Sequence, residues 1–190
     1  MRIQKENPNS IAYTAAELEQ GKVVIIPTDT IYGFSGLIGK TAASIARIKG
    51  RSEDKPFIAL IAEPSDIHRY TDAKIPERIL KLWPAPLTLI VPLKGTGAGT
   101  QAFRCPADAW LRQVVAAAGS AIYSTSVNLA GSPPLTDITA ICEEFEDSVA
   151  LIVEAGELSG QPSTVIDLCS DTPHLLRQGA VNVKAALAHK

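Results

Sequence analysis

The stretch Val23-Val24-Ile25-Ile26-Pro27-Thr28-Asp29-Thr30-Ile31-Tyr32-Gly33 decides how this chain is read. A continuous β-branched run with no polar alternation predicts a strand buried on both faces, as in an α/β sheet. Pro27 has no N–H and stops the ladder. The segment from Thr28 onward therefore leaves the carboxyl end of a buried strand, where open α/β sheets bind ligands. Thr28, Asp29 and Thr30 offer short hydroxyl and carboxylate partners there, and Tyr32 adds a flat face with a polar tip. The same residues also suit a turn with N-cap chemistry. Asp29 fits either use: orienting a hydroxyl or metal-bound water, or capping.

Outward from this stretch, strand-like and helix-like segments alternate. Ser10 is placed to cap a helix with Ile11, Ala15 and Leu18 on one face, stopped by Gly21. Thr41 opens a helix with Ile45 and Ile48 inward, closed by Gly50. Strands are expected at Phe57–Ala62, Leu87–Leu93, Ala121–Thr125, Val149–Val153, Thr164–Leu168 and Leu175–Arg177. A short extended run ends at Arg104. Helices are expected at Ser65–Tyr70, Pro76–Trp83, Pro106–Ala118, Thr136–Phe145 and Val183–Ala188. No repeat or charged linker divides the chain, so residues 1–190 read as a single α/β domain on a twisted sheet.

Composition narrows the function classes. Hydrophobic residues make up 46 % of the 190 residues and charged residues 20 %, which excludes a disordered chain. A net charge of −2 argues against a surface that grips nucleic acid throughout, though it leaves room for a local basic cleft. Cys105, Cys142 and Cys169 form no CxxC pair, and His68, His174 and His189 form no HExxH. Neither a disulfide framework nor a metal site is therefore readable, and the thiols read as free in a reducing compartment. The polar N-terminus and short apolar runs predict a soluble cytoplasmic protein without a membrane segment. Gly39-Lys40-Thr41 lacks the upstream glycine of a phosphate loop, since Phe34 stands there. Gly97-Ala-Gly99-Thr-Gln-Ala102 has no acidic residue about 20 positions on, as a dinucleotide fingerprint requires.

Two further segments carry possible chemistry. Lys49-Gly-Arg51-Ser-Glu-Asp-Lys55-Pro56 puts three cations just after a helix end. They can complement the helix dipole, or Gly50 can turn Lys49 and Arg51 into one cleft suited to a polyphosphate. Ser124-Thr-Ser126-Val-Asn128 leaves another β-branched strand and can present donors to an anion, or simply bond back to its own backbone. Thr100, Arg104, Ser163-Thr164 and Arg177 are smaller candidates.

Together these segments resemble the YrdC-like family, the threonylcarbamoyl-AMP synthases that prepare the N6-threonylcarbamoyl modification of tRNA adenosine. The resemblance rests on PTDTIYG (Pro27–Gly33), KGR with KP (Lys49–Pro56), WPAPLT (Trp83–Thr88), FRCP (Phe103–Pro106) and STSVN (Ser124–Asn128). It continues through GSPP (Gly131–Pro134), PSTVID (Pro162–Asp167) and RQGAV (Arg177–Val181), running from about residue 10 to 182. It implies an open, twisted mixed sheet with surrounding helices and a large concave groove, in a short single-domain form. It implies a reaction joining L-threonine, bicarbonate or CO2, and ATP, with pyrophosphate release and with Mg2+ carried by the nucleotide. By resemblance, threonine would meet Thr30, Tyr32, Arg104, Ser124 and Ser163. The nucleotide would meet Lys49, Arg51, Lys55, Thr100, Ser126, Asn128, Pro134 and Arg177, with Lys49 and Arg51 catalytic. tRNA and tRNA-modifying transferase proteins are the implied partners.

Val127, Phe103 and Leu60 depart from the common family pattern. Val127 is expected to add two methyl groups beside the nucleotide. The Gly95–Gly99 loop and the Gly156–Pro162 segment are candidate lids, because a carbamate and a mixed anhydride both need shelter from water. Two other readings remain open: an RNA-binding YrdC-like paralogue without this activity, and activation of a different carbamoyl group.

Overall fold

The computed structural model describes residues 1–52, 56–95 and 97–188. In chain order its elements are β1 (Arg2–Gln4), α1 (Ser10–Glu19), β2 (Val24–Ile26), β3 (Gly33–Leu37), α2 (Ala42–Lys49) and β4 (Ile58–Leu60). A 3-10 turn (Pro64–Arg69) and α3 (Glu77–Leu80) lead to β5 (Leu87–Pro92), β6 (Thr100–Arg104), α4 (Ala109–Ala117) and β7 (Ile122–Ser126). The chain then forms α5 (Ile138–Phe145), a 3-10 turn (Glu146–Ser148), β8 (Leu151–Glu154), β9 (Thr164–Asp167), β10 (His174–Arg177) and α6 (Lys184–Leu187). The strands join one mixed sheet in the order β1-β8-β2-β3-β7-β4-β6-β5-β9-β10. Its middle, β2-β3-β7-β4, is antiparallel, whereas β8 pairs parallel with both β1 and β2, and β4 with β6.

The unbroken apolar run of β2 is explained by cover on both faces. Val24 and Ile26 pack with Leu18 of α1 and Leu111 and Val114 of α4. Ile25, between them, packs on the opposite face with Ile45 of α2 and Ile141 and Phe145 of α5. Phe34 and Phe145 meet edge to face at 4.9 Å. A third cluster under β5 and β6 gathers Leu87, Leu89, Phe103, Trp83, Ile79 and Ile166.

Period two in the strands then places the groove. Ile58 pairs with Ser124 and Ala102, and Leu60 with Ile122 and Arg104, so all of these side chains share one face. Over β8, β2 and β3 that face is covered by α1, which packs on α4. Over β4 and β6 it opens.

Several expectations shift. Ser10 does not cap α1; its hydroxyl donates to Lys5 O at 2.8 Å and accepts from Trp110 Nε1 at 2.9 Å. The caps of α4 and α5 are Asp108 and Asp137, which accept from Leu111 N and Ala140 N at 2.9 Å each. Both helices therefore start later than Pro106 and Thr136. β1 and β3 lie outside the expected strands. β3 reads Gly33-Phe-Ser-Gly-Leu37, and its glycines obscure it because they answer to packing rather than to strand preference. A Cβ at Gly33 would lie 2.7 Å from Ser124 Oγ, and one at Gly36 would overlap the Thr41 side chain.

Candidate functional site

The open part of the sheet face is a groove of about 640 Å³. The β2–β3 connection supplies Thr28, Thr30 and Tyr32, the end of β7 supplies Ser124 and Ser126, and the end of β6 supplies Arg104. Ser159, Gly160 and Ser163 enter from the approach to β9, and Arg177 from the end of β10. Thr30, Tyr32, Arg104, Ser124, Ser126, Pro134, Ser163 and Arg177 thus gather in one groove from distant parts of the sequence.

The two arginines form one cationic centre. Arg104 is 4 % exposed. Its Nη2 lies 3.3 Å from Asp29 Oδ1, its Nη1 is 3.5 Å from Thr30 Oγ1, and its Nε is buried with no hydrogen-bond partner. Burial lowers its pKa most, Asp29 opposes that shift, and Arg177 adds to it by like-charge repulsion. Arg177 Nε donates to Ser163 O at 3.0 Å and its Nη2 to Ser163 Oγ at 3.2 Å. Ser163 Oγ lies 2.9 Å from Thr88 Oγ1. A buried guanidinium with an unmatched N–H, beside a second cation and several hydroxyls, has the chemistry to receive a small hydroxylated anion.

A second centre stands behind Ser126. Lys49 is buried at the end of α2, and Gly50 closes that helix at φ 62°. Burial first, then Arg51, brings the Lys49 pKa down from 10.5 to about 8. The Arg51 guanidinium sits 4.2 Å over the ring of Phe57, a groove wall residue. Lys49, Arg51 and Asn128 are therefore adjacent to the groove without lining it.

Thr100 does not join them: it is exposed at the far end of β6 from Arg104 and lies outside the groove lining. Lys55, expected at the nucleotide, lies outside the described residues. Val127, Phe103 and Leu60 are fully buried in the apolar clusters. The extra methyl groups of Val127 therefore fill core in the cluster with Tyr32 and Phe34, and Val127 does not line the groove.

The lid expectation divides. The Gly95–Gly99 loop joins β5 to β6, and its described residues do not line the groove. The Gly156–Pro162 segment lies along the rim, where Gly160 N donates to Thr30 O at 2.8 Å. The Tyr32 hydroxyl donates to Gly156 O at 2.7 Å and accepts from Ala155 N at 2.8 Å, which ties the start of that strap to the groove. Ser159 and Gly160 of that segment line the groove, and so do Phe57, Ile58 and Thr136, which lie outside the expected site. Nothing in their local sequence marks them, because each arrives through strand register or a loop contact. Among the described residues no group of three or more His, Cys, Asp or Glu could hold a metal ion, and no helix is long and apolar enough to cross a membrane.

The family described as Telomere recombination (Sua5_yciO_yrdC) matches residues 16–179. A threonylcarbamoyl-AMP synthase of Bacillus subtilis (strain 168) is 33 % identical, the match covering 92 % of this chain and 55 % of that protein. One of Pyrococcus abyssi is 32 % identical over 90 % of this chain and 54 % of its own length. The chain thus spans little more than half the length of these relatives. The crystal structure of P. abyssi Sua5 complexed with L-threonine is 30 % identical and superposes with TM-score 0.85, covering 98 % of this chain and 59 % of that one. E. coli YciO, 28 % identical with TM-score 0.81, matches 97 % of each chain. The chain belongs to the Sua5/YciO/YrdC family.

Proposed function

We propose that this member of the Sua5/YciO/YrdC family makes L-threonylcarbamoyl-AMP from L-threonine, bicarbonate or CO2, and ATP, with release of pyrophosphate. The product would serve the N6-threonylcarbamoyl modification of tRNA adenosine, with tRNA and a transferase protein as downstream partners. The observation that carries this reading is the pairing of Arg104 and Arg177 at one hydroxyl-walled end of the groove. The chain's match to named synthases supports it.

In this reading the neutral threonine amine attacks CO2, loses a proton and becomes a carbamate. A carbamate oxygen then attacks the α-phosphorus of ATP, and the bond to pyrophosphate breaks. Both reactants are anions, so positioning and charge offset are the protein's main contributions. Arg104 takes the threonine carboxylate, Thr30 and Ser163 with Ser124 are in reach of its polar groups, and Tyr32 holds the rim above. Ser126, Pro134 and Arg177 border the nucleotide, with Arg51, Lys49 and Asn128 behind them. Among the described residues, those lining the groove include no carboxylate, and in this reading Mg2+ would arrive on the nucleotide's own phosphates.

The test is incubation of the full chain with ATP, Mg2+ and bicarbonate plus threonine, serine, alanine or valine, followed by mass detection of the acyl adenylate. Product should be greatest with threonine, lower with serine and lower again with alanine, with valine poor, because a site built to bond the side-chain hydroxyl rejects analogues without it. Pyrophosphate release that does not need amino acid and bicarbonate together overturns the reading.

A further inference from the structure

The Lys49 ammonium has three N–H donors, and three oxygens surround it. These are Ser126 O at 2.5 Å, Asn128 Oδ1 at 2.9 Å and Asn128 O at 3.0 Å. The Phe34 ring closes another side, its centroid 5.4 Å from Nζ. Asn128 is engaged just as fully. Its Oδ1 also accepts from Ser126 Oγ at 2.5 Å, and its Nδ2 donates to Leu129 O at 2.8 Å and Ser132 O at 2.7 Å. The backbone adds a reciprocal tie, with Ala130 N donating to Lys49 O at 2.8 Å. Beyond this turn, Leu135 N donates to Val127 O at 2.8 Å, so the chain returns to the exit of β7 after delivering Pro134 to the groove.

These bonds form a closed knot between the end of α2, the exit of β7 and the Leu129–Ser132 turn. The two groove-lining residues it carries are Ser126 and Pro134. We infer that Lys49 is a positioning residue, holding Ser126 and, through the Asn128 amide, the turn that sets Pro134, and that it does not contact the nucleotide's phosphates. An ammonium swung toward a phosphate would abandon three oxygens in a buried setting, and their lost hydration would not be regained. The inference rests on the nucleotide-binding part of the proposed function.

The experiment measures AMP, ATP and L-threonine affinities of the full chain by calorimetry for wild type, Lys49→Met, Asn128→Ala and the double variant. If Lys49 positions the wall, both single variants lose roughly ten- to a hundredfold in nucleotide affinity. The loss should be equal for AMP and ATP, with unchanged dependence on ionic strength. The double variant should lose little more than either single one, because the residues act as a unit. Threonine affinity should stay at the wild-type value, which a merely structural collapse would not allow.

A loss for Lys49→Met that is larger for ATP than for AMP, with flattened salt dependence, marks a direct phosphate contact and overturns the inference. So does an Asn128→Ala variant that binds both nucleotides as wild type does. If Lys49→Met does not fold, Asn128→Ala, in which Lys49 keeps two carbonyl acceptors, decides by the same comparison. A wild-type chain that binds no nucleotide overturns the proposed function and this inference together, whereas the other adverse outcomes overturn this inference alone.

Discussion

Nη2 of Arg104 lies 3.3 Å from Oδ1 of Asp29, and each side chain is 5 % exposed. The pair is close without being aligned as a hydrogen bond, and Asp29 Oδ2 instead accepts from Ala107 N at 3.2 Å. Asp29 therefore does two things at once. It tethers the segment before α4, and it offsets part of a buried charge that Arg177 opposes. A guanidinium balanced on one side only remains attractive to an incoming carboxylate.

Arg104→Gln should leave the Asp29 carboxylate buried without a counter-ion and cost about 3–5 kcal/mol in urea unfolding. The double variant Asp29→Asn/Arg104→Gln should regain most of that stability, yet its threonine affinity should remain lost by calorimetry. Recovery of threonine binding in the double variant would exclude Arg104 as the carboxylate receptor.

Two glycines should separate stability from binding. A Cβ at Gly179 would overlap Pro162 O and lie 2.5 Å from Ser163 C, in a turn where Gly179 N donates to Thr164 Oγ1 at 3.0 Å. Gly179→Ala should lower stability by about 1–3 kcal/mol, the usual range for forced overpacking. A Cβ at Gly160 would overlap Thr30 O, but there the exposed strap can lift. Gly160→Ala should change Tm little while raising KM for threonine. Equal Tm losses in the two variants would contradict the assignment of the strap.

Tyr32→Phe removes the hydroxyl that bridges Ala155 N and Gly156 O. Those two groups lose their partner at the rim, so stability should fall by about 1–3 kcal/mol. Hydrogen exchange at Ala155 should rise. Unchanged protection at that amide would show that the phenol does not hold the strap.

Lys49 should titrate by NMR near pH 8, below the ordinary 10.5, because burial and then Arg51 disfavour its charge. An unfolded lysine keeps its proton up to about 10.5, so between these values the unfolded chain binds more protons. The Lys49 contribution to the unfolding free energy is accordingly lowest below pH 8 and rises with pH across that window. Nucleotide affinity should move the other way, falling as pH passes about 8 and one of three N–H donors leaves the knot. The same profile measured on Lys49→Met should lack this step.

Much of the architecture was legible along the chain because its causes are local. The β-branched run at Val23–Ile26 can be satisfied only by apolar cover on both faces, and Gly50 ends α2 in the left-handed conformation that side chains avoid. The motif residues Thr30, Arg104, Ser163 and Arg177 were legible as candidates, but which of their groups are free for a ligand was not. Thr100 and Arg104 sit on the same strand, yet one is exposed outside the groove and the other buried within it. Val127 lies one residue from Ser126 and points to the opposite side of the exit, into core.

The order of residues thus determined most of the strands and helices and the chemical types available, since these depend on neighbours a few positions away, but not β1, β3 or the starts of α4 and α5. Only the tertiary structure decided that Lys49 spans 77 positions to reach Ser126 and that Arg104 spans 74 to reach Thr30. Such partnerships come from strand register and loop closure. Those fix distances between residues whose separation in sequence carries no information about their separation in space.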